Sequence, residues 1–185
     1  MAIHFVDMDL DGRDVEDVID FMIRNRFPYD RVVNPTEDQA RAAVQASLAA
    51  GDDRRSFWIE DDELGRVGMA QIQDLNRAGG RGPNLDIRLD GARRGKGLGV
   101  KALRAFVPFI FNAYPDLDRM EGRTREDNAA IRQVLAQCGF VKEAHLREAW
   151  PVDGEDSRAE VIYGLLRRDW ESNTLTPVIF NDIGF

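Results

Sequence analysis

The sequence contains very little cysteine and histidine, which limits the chemistry open to it. Cys138 is the only cysteine among 185 residues, so neither a disulfide within the chain nor a cysteine-based metal cluster can form. The two histidines, His4 and His145, lie far apart in sequence, which disfavours a histidine-rich metal site or a Ser-His triad. We therefore expect no metal ion at the functional site. Because Cys138 falls on an apolar helical stripe, we interpret it as a core residue rather than a nucleophile.

Long apolar runs and an excess of positive charge are also missing. No apolar stretch approaches the ~20 residues that a membrane-spanning helix needs, and residues 1–12 lack the basic start and apolar segment of a signal peptide. The net charge of −8 disfavours nonspecific binding to nucleic acid. The sequence thus predicts neither a nucleic-acid nor a membrane partner, and a cytoplasmic location. The acidity fits weakly with a cationic substrate, although many cytoplasmic proteins are acidic.

The spacing of apolar residues predicts one α/β domain over residues 1–170. Helical stripes and segments of period two follow one another in the order β-α-α-β-β-β-α-β-α-β-β. Hairpins combined with crossover helices indicate a mixed sheet. Three local signals set boundaries: Asp11 as a helix cap, a capping box at Thr36 and Gln39, and an early end or kink of a long helix at Pro108.

Residues 171–185 form a C-terminal tail with several apolar side chains. We expect Val178, Phe180 and Phe185 to dock on the domain or across the interface of a homodimer, because apolar groups are costly to expose. The alternative is a disordered end.

The most informative stretch is RRGKGLG, from Arg93 to Gly99, which follows a predicted strand and opens a predicted helix. Glycines there allow several backbone N–H groups to converge on one point, and the helix N-terminus adds its positive dipole end. Basic residues are dense and no acid interrupts them: Arg93, Arg94, Lys96, Lys101 and Arg104. These features predict a pyrophosphate site, although a tight turn with a solvated basic face would look similar. Neither the P-loop pattern GxxxxGK[ST] nor the dinucleotide pattern GxGxxG is met.

Four segments in order resemble one family. Residues 94–99 fit the [RQ]-x-x-G-x-[GA] signature of GNAT acetyltransferases, and residues 126–140 resemble the family's next stretch, which ends in Gly-Phe. Residues 141–148 and 161–170 resemble its last two strands. The chain is therefore identified as similar to the GNAT superfamily, in particular to the branch of ribosomal-protein N-terminal acetyltransferases. The similarity is good from Asn84 to Trp170, whereas residues 2–75 match only in layout.

This resemblance implies both a fold and an activity. The implied fold is α/β (α+β), with a mixed central sheet of about seven strands, flanked by about four helices and splayed between the fourth and fifth strands. The implied reaction transfers an acetyl group from acetyl-CoA, the co-substrate, to a primary amine by direct attack in a ternary complex. The acceptor is left open between a protein N-terminus and a small-molecule amine. Two alternatives are a noncatalytic acyl-CoA-binding module and a transferase of a larger acyl group such as succinyl.

The resemblance also implies which residues bind the co-substrate. The backbone of the signature would hold the CoA pyrophosphate: Arg94, Gly95, Lys96, Gly97, Leu98, Gly99 and Val100. Ile87 and Leu89 would pair with the pantetheine arm as another strand does. A backbone N–H near Leu89 would polarise the acetyl carbonyl, and Asn128 would hydrogen-bond the arm from the short helix.

Three positions depart from the family pattern. Leu135 replaces a tyrosine that protonates the leaving thiolate in many members, and Ile131 replaces a frequent serine. Asn84 stands where the strand before the signature usually begins with glutamate. An acid follows two residues later as Asp86, and residues two apart share a strand face.

An ammonium group must lose a proton before it can attack a carbonyl, so a carboxylate or a chain of water molecules is expected to assist. Asp86 is the first candidate, followed by Glu148, near the end of a strand expected to border the substrate side, and Glu121 on the splayed strand. A merely solvated side chain is the alternative for each. The choice of acceptor is expected to lie in residues 26–35 and 76–84, and Trp58, Trp150 and Tyr29 are candidates for pocket lining or core.

Overall fold

The helices and strands occur in the predicted order. The computed structural model describes residues 2–76 and 82–180. Its elements are β1 (Ile3–Asp7), α1 (Val15–Arg24), α2 (Glu37–Ala49), β2 (Arg54–Asp61), β3 (Gly65–Gln73), β4 (Asn84–Leu89), α3 (Leu98–Ala113), β5 (Arg119–Arg125), α4 (Ala129–Gln137), β6 (Val141–Trp150), β7 (Arg158–Leu166) and α5 (Arg167–Ser172). Short 3₁₀ turns cover Gly51–Asp53 and Gly91–Arg93. The six-residue α5 adds to the four predicted helices.

The strands form one mixed sheet in the order β1-β2-β3-β4-β5-β7-β6. The β4–β5 pair is parallel and the other neighbours are antiparallel. Between β4 and β5 the described pairing covers only Asn84 with Glu121 and Leu85 with Gly122. Both strands continue beyond these pairs, and β4 changes there from buried to partly exposed. The predicted mixed sheet, splayed between the fourth and fifth strands, is confirmed; we call the opening the β4–β5 gap.

Helices cover the two faces of the sheet with separate apolar clusters. On one face α3 and α4 pack through side chains such as Phe106, Ile110 and Leu135. On the other face α1 and α2 pack over β2 and β3, where Ile19 and Trp58 are almost fully buried. Because strand residues alternate between faces, the residues of β4 and β5 that do not contribute to the α3 cluster face the α1–α2 side.

Two of the predicted boundaries are wrong for tertiary reasons. Helix α1 begins after Asp14 rather than at Asp11, because the buried Asp14 carboxylate accepts hydrogen bonds from the Asp9 N–H and from Trp58 Nε1 of β2. Helix α3 continues past Pro108 to Ala113, so the early end is wrong, while the kink that was its alternative stays a prediction. An interior proline costs about 3 kcal/mol, and complete burial of Ile110 and Phe111 beyond it offsets that cost. The capping box at Thr36 is confirmed.

The described part of the tail makes few contacts with the domain. Asp169 accepts hydrogen bonds from the N–H and the hydroxyl of Thr176, which holds the start of the tail. Further on, Val178 is half-buried but Phe180 is 62% exposed, so Phe180 does not dock on its own domain. Phe185 lies outside the described residues. Docking across a dimer interface stays a prediction.

Asp61 joins the β2–β3 turn to the first turn of α3, and its ionisation should contribute to stability. The hydrogen bond from Lys101, together with those from the Glu63 and Leu64 N–H groups, lowers the pKa of Asp61 to about 2 from its ordinary 3.8. A carboxyl group whose pKa is lower in the folded than in the unfolded protein stabilises the fold at pH values above its ordinary pKa. This stabilisation is lost as the pH falls towards the pKa of the folded state.

Asp61→Asn is therefore expected to lower the urea midpoint of unfolding at neutral pH. The difference in urea midpoint between Asp61→Asn and the wild type should shrink as the pH falls from about 4 towards about 2. Glu63→Gln is the matched control, because only the backbone of Glu63 takes part in this turn. A difference between Asp61→Asn and the wild type that is constant over the acid range would contradict the assignment.

Candidate active site

The loop between β4 and α3 presents backbone amides at a helix N-terminus. Gly95 and Gly97 have φ values of +75° and +77°, a left-handed conformation that side-chain-bearing residues adopt only with strain. The first bond of α3 runs from the Lys101 N–H to the Gly97 carbonyl. The N–H groups of the preceding turn, residues 98–100, have no carbonyl to bond within the helix. Free amides and the helix dipole at one point suit a pyrophosphate group.

The side chain of Arg94 holds the loop in place rather than pointing to a free site. Its Nε–H donates to the Leu89 carbonyl at 3.0 Å and its terminal N–H to the Arg26 carbonyl at 2.7 Å. Its guanidinium also lies over the Phe27 ring. Within the predicted signature, Arg94 therefore ties β4 to the segment after α1. The contacts that a phosphate could use come from the backbone of the following residues.

The hydrogen-bonding direction of β4 follows from its two ends. The Glu121 N–H of β5 donates to the Pro83 carbonyl at 2.8 Å, so the backbone carbonyl of residue 83 points towards β5. The Asp90 N–H donates to the Val67 carbonyl of β3, so the backbone N–H of residue 90 points away from β5. Because successive backbone groups alternate along a strand, the odd-numbered residues of β4 direct their N–H and C=O towards β5.

Ile87 and Leu89 are therefore the residues whose backbone faces the β4–β5 gap. Beyond Leu85 no residue of β5 pairs with them. The Leu89 carbonyl accepts from Arg94, which leaves the Leu89 N–H and both polar groups of Ile87 directed into the gap. Such a strand edge can pair with an extended chain that carries amides.

On the other side of the gap, Asn128 caps α4. Its Oδ1 accepts from the Ile131 N–H at 3.4 Å, and its Nδ2 donates to the Thr124 hydroxyl of β5 at 3.0 Å. The side chain is thus committed to fixing the start of α4, and one Nδ2 hydrogen remains for another acceptor.

The position of the family's tyrosine is filled by a core leucine. Leu135 is 1% exposed, and a Cβ built at Gly122 would lie 2.7 Å from Leu135 Cδ2. The leucine therefore packs directly against the β5 backbone where the strands separate. Nearby, Cys138 is half-buried, and burial raises the pKa of its thiol. A raised pKa disfavours the thiolate, in agreement with a core role for Cys138.

A band of polar side chains crosses the α1–α2 face of the sheet. Strand register places Arg54, Gln73, Asn84 and Glu121 in one row and Ser56, Gln71 and Asp86 in the next. Leu85, between Asn84 and Asp86, packs in the α3 cluster. Asp86 thus shares a face with Asn84, as the sequence predicts.

Asp86 belongs to an ion-pair cluster that the sequence did not reveal. Arg88 donates to Asp86 at 2.9 Å and contacts Asp30, from the α1–α2 loop, at 3.0 Å. Burial raises the pKa of Asp30, while Arg88 acts in the opposite direction. A carboxylate with a raised pKa is a stronger base. Asp30 was missed because nothing in the sequence selects it from the 33 acids of the chain.

The two other candidate acids have different surroundings. Glu121 is 4% exposed, and its two oxygens accept from Arg119 at 3.0 Å and Arg123 at 2.9 Å. Glu148 is exposed in an irregular part of β6, with φ of +54°. The strand next to β5 is β7, so Glu148 lies on the edge strand β6, one strand further from the gap.

The α1–α2 loop (residues 26–35) makes contact with both sides of the β4–β5 gap. Asp30 binds Arg88 of β4, while Arg125 of β5 donates to the Pro28 carbonyl at 3.4 Å and lies over the Tyr29 ring. The role of residues 26–35 in the choice of acceptor stays a prediction. Trp58, by contrast, is a core residue at 1% exposure.

The amide-rich loop at the start of α3, the unpaired edge of β4 and the polar side chains around Asp86 thus border the β4–β5 gap. A sequence profile described as an acetyltransferase (GNAT) domain matches residues 9–141. The chain belongs to the GNAT acetyltransferase family. The resemblance stated from the signature segments, and the GNAT fold that it implied, are therefore confirmed.

Solved structures of GNAT enzymes superpose over nearly the whole chain. Spermidine N-acetyltransferase from Vibrio cholerae, in complex with CoA and spermine, has a TM-score of 0.72 at 15% identity, covering 91% of this chain and 98% of that one. Ribosomal-protein-S5-alanine acetyltransferase from Vibrio fischeri has 0.73 at 19%, covering 92% and 96%. Mycobacterium smegmatis RimJ, in complex with CoA-disulfide, has 0.74 at 19%, covering 90% and 83%. At these identities the likeness establishes the fold alone.

None of the described helices is both long and apolar enough to cross a bilayer. Within residues 2–76 and 82–180, no group of three or more His, Cys, Asp or Glu side chains is arranged to hold a metal ion.

Proposed function

We propose that this GNAT protein transfers the acetyl group of acetyl-CoA to a primary amine by direct attack within a ternary complex. The observation that carries the proposal is the meeting of three features at one gap. These are the amide-rich loop at the start of α3, the unpaired edge of β4 at Ile87 and Leu89, and the polar face that holds Asp86. Acetyl-CoA would supply the acetyl group as an activated thioester.

The residues of the loop and of β4 would bind and orient the co-substrate. The N–H groups from Gly95 to Val100 would surround the pyrophosphate, and Ile87 would pair with the pantetheine arm. The Leu89 N–H, directed into the gap, is the donor suited to polarise the acetyl carbonyl. Asn128 keeps α4 in place and retains one N–H for the arm.

On the acceptor side, Asp86 would take the proton of the ammonium group, directly or through one water. It lies beside the gap on the face opposite α3, and Arg88 fixes its orientation. Asp30 approaches Arg88 from the other side and is the second candidate. Leu135 offers no proton, so α4 supplies no tyrosine acid for the leaving thiolate. Its tight packing against Gly122 favours a small acyl group over a succinyl group.

The proposed reaction is tested by following the release of CoA thiol with a panel of primary amines. We expect release that requires both the protein and an amine, with acetyl-CoA preferred over succinyl-CoA. The panel includes N-terminal peptides, polyamines and amino acids, because the acceptor class is open. Binding of acetyl-CoA without CoA release in any amine would instead support the noncatalytic module. A homodimer and a cytoplasmic location remain predictions.

A further inference from the structure

A cavity of about 300 Å³ lies between the sheet and helices α1 and α2, next to the β4–β5 gap. The helices line it with apolar side chains that include Met22 and Val44, whereas the sheet lines it mainly with polar groups beside Met69. The polar groups extend from Asp86 and Arg88 on β4 to Arg54 on β2. The cavity therefore begins beside the proposed site of amine attack and runs under α2, away from the co-substrate loop.

Arg54 is the charged residue at the far side of this cavity. One terminal N–H of Arg54 donates to the Ser47 hydroxyl at 3.2 Å, while its Nε is buried without a hydrogen-bond partner among the described residues. No carboxylate within residues 2–76 and 82–180 forms an ion pair with it. A guanidinium that lines the cavity without a carboxylate partner is suited to an anionic ligand.

The row that contains Arg54 also holds an unpaired acceptor. Asn84 is about nine-tenths buried, and its Oδ1 has no partner in the described part of the chain. Register places Gln73 between Arg54 and Asn84. Asn84, whose side-chain oxygen is an unpaired hydrogen-bond acceptor beside the gap, is therefore separated from Arg54 under α2 by two interstrand spacings, about 10 Å.

The acids near the gap are already neutralised, which argues against a polycationic acceptor. Asp30 and Asp86 share Arg88. Glu121 is held by Arg119 and Arg123. A polyamine would need carboxylates for its second ammonium group, and here it would have to displace arginines. The net charge of −8 thus belongs to the rest of the chain and is not concentrated at this cavity.

We propose that the cavity binds the acceptor and that the acceptor is a primary amine carrying a carboxylate, which Arg54 binds. The amine would lie beside Asn84 and Asp86, and the connecting chain would run along the polar floor below the apolar side chains of α1 and α2. This inference rests on the proposed acetyl transfer. A free amino acid whose amine and carboxylate are separated by several methylene groups, and a peptide with an acidic side chain close to its N-terminus, offer the same chemistry.

The test compares amines that differ only in the distal group: 6-aminohexanoate, hexylamine and the corresponding hexane diamine. We expect kcat/KM for 6-aminohexanoate to exceed both others by at least ~10-fold, the effect of one charge-assisted hydrogen bond. Arg54→Gln should abolish this preference while leaving hexylamine turnover within about twofold, and Arg54→Lys should restore part of it. Short peptides with glutamate or glutamine at the second position distinguish a peptide from a free amino acid.

Arg55→Gln is the matched control, because the neighbouring Arg55 points to the opposite face and binds Asp7. It should retain the full preference for the carboxylate. Acetylation of hexylamine or the diamine with no preference for the carboxylate would overturn the inference and leave the proposed function intact. A preference that survives Arg54→Gln would also overturn it. Failure to acetylate any amine would overturn the proposed function and the inference together.

Discussion

Replacing Gly97 with valine is expected to abolish the stabilisation of the protein by acetyl-CoA. Gly97 has φ of +77°, and a β-branched residue at such a φ would move the backbone to relieve strain. An added Cβ would meet no heavy atom within 4 Å, so the damage would come from the changed direction of the loop amides and not from a clash. The fold should survive, because the loop lies outside the core.

A ligand at a hundred times its Kd stabilises a folded protein by about 2.7 kcal/mol. For a chain of this size that corresponds to a rise in Tm of roughly 5–10 °C, measured by thermal unfolding with and without acetyl-CoA. Gly97→Val should lose this rise. Gly51→Val is the matched control, since Gly51 also has a positive φ and open space but lies between α2 and β2. A full ligand-induced rise in Gly97→Val would remove the loop from the co-substrate site.

Asp86→Asn is expected to lower turnover by about 10²–10⁴, the usual contribution of a general base. Asparagine can still accept the hydrogen bond from Arg88, so the local geometry should persist and acetyl-CoA should bind nearly as well as before. The remaining activity should rise with pH as more of the acceptor becomes free base; the amine pKa is near 10 for an alkylamine and near 8 for a peptide N-terminus. Steady-state kinetics over a range of pH, together with thermal shifts, measure both quantities.

Comparison with Asp30→Asn distinguishes a catalytic role of Asp86 from a role limited to pairing with Arg88. Both carboxylates neutralise Arg88, so a role limited to that pairing would make the two substitutions equally harmful. We expect Asp86→Asn to be the more damaging. Near-normal turnover in Asp86→Asn would exclude Asp86 as the base, and a large loss in Asp30→Asn alone would transfer the role to the α1–α2 loop.

Local patterns in the sequence were enough to predict the order of elements and the glycine-containing turn that opens α3. Apolar periodicity depends on neighbouring residues, and so does the glycine requirement of a turn with positive φ; both can therefore be recognised without knowing the topology. The side-chain capping at Thr36 was found in the same way, since donor and acceptor are three residues apart. Where a boundary depended on a distant partner, as at Asp14 and Trp58, the sequence prediction was wrong.

The sequence by itself determined the family, the splayed sheet and the face of β4 that carries Asp86. Only the tertiary structure decided which of the 33 acids and 25 basic residues meet at the gap. Arg88 reaches Asp30 from more than fifty positions away, and the cavity by Arg54 exists only because α1 and α2 cross β2, β3 and β4. Ion pairs between remote segments depend on chain topology, and a pattern of single residues contains no information on which partner each charge will have.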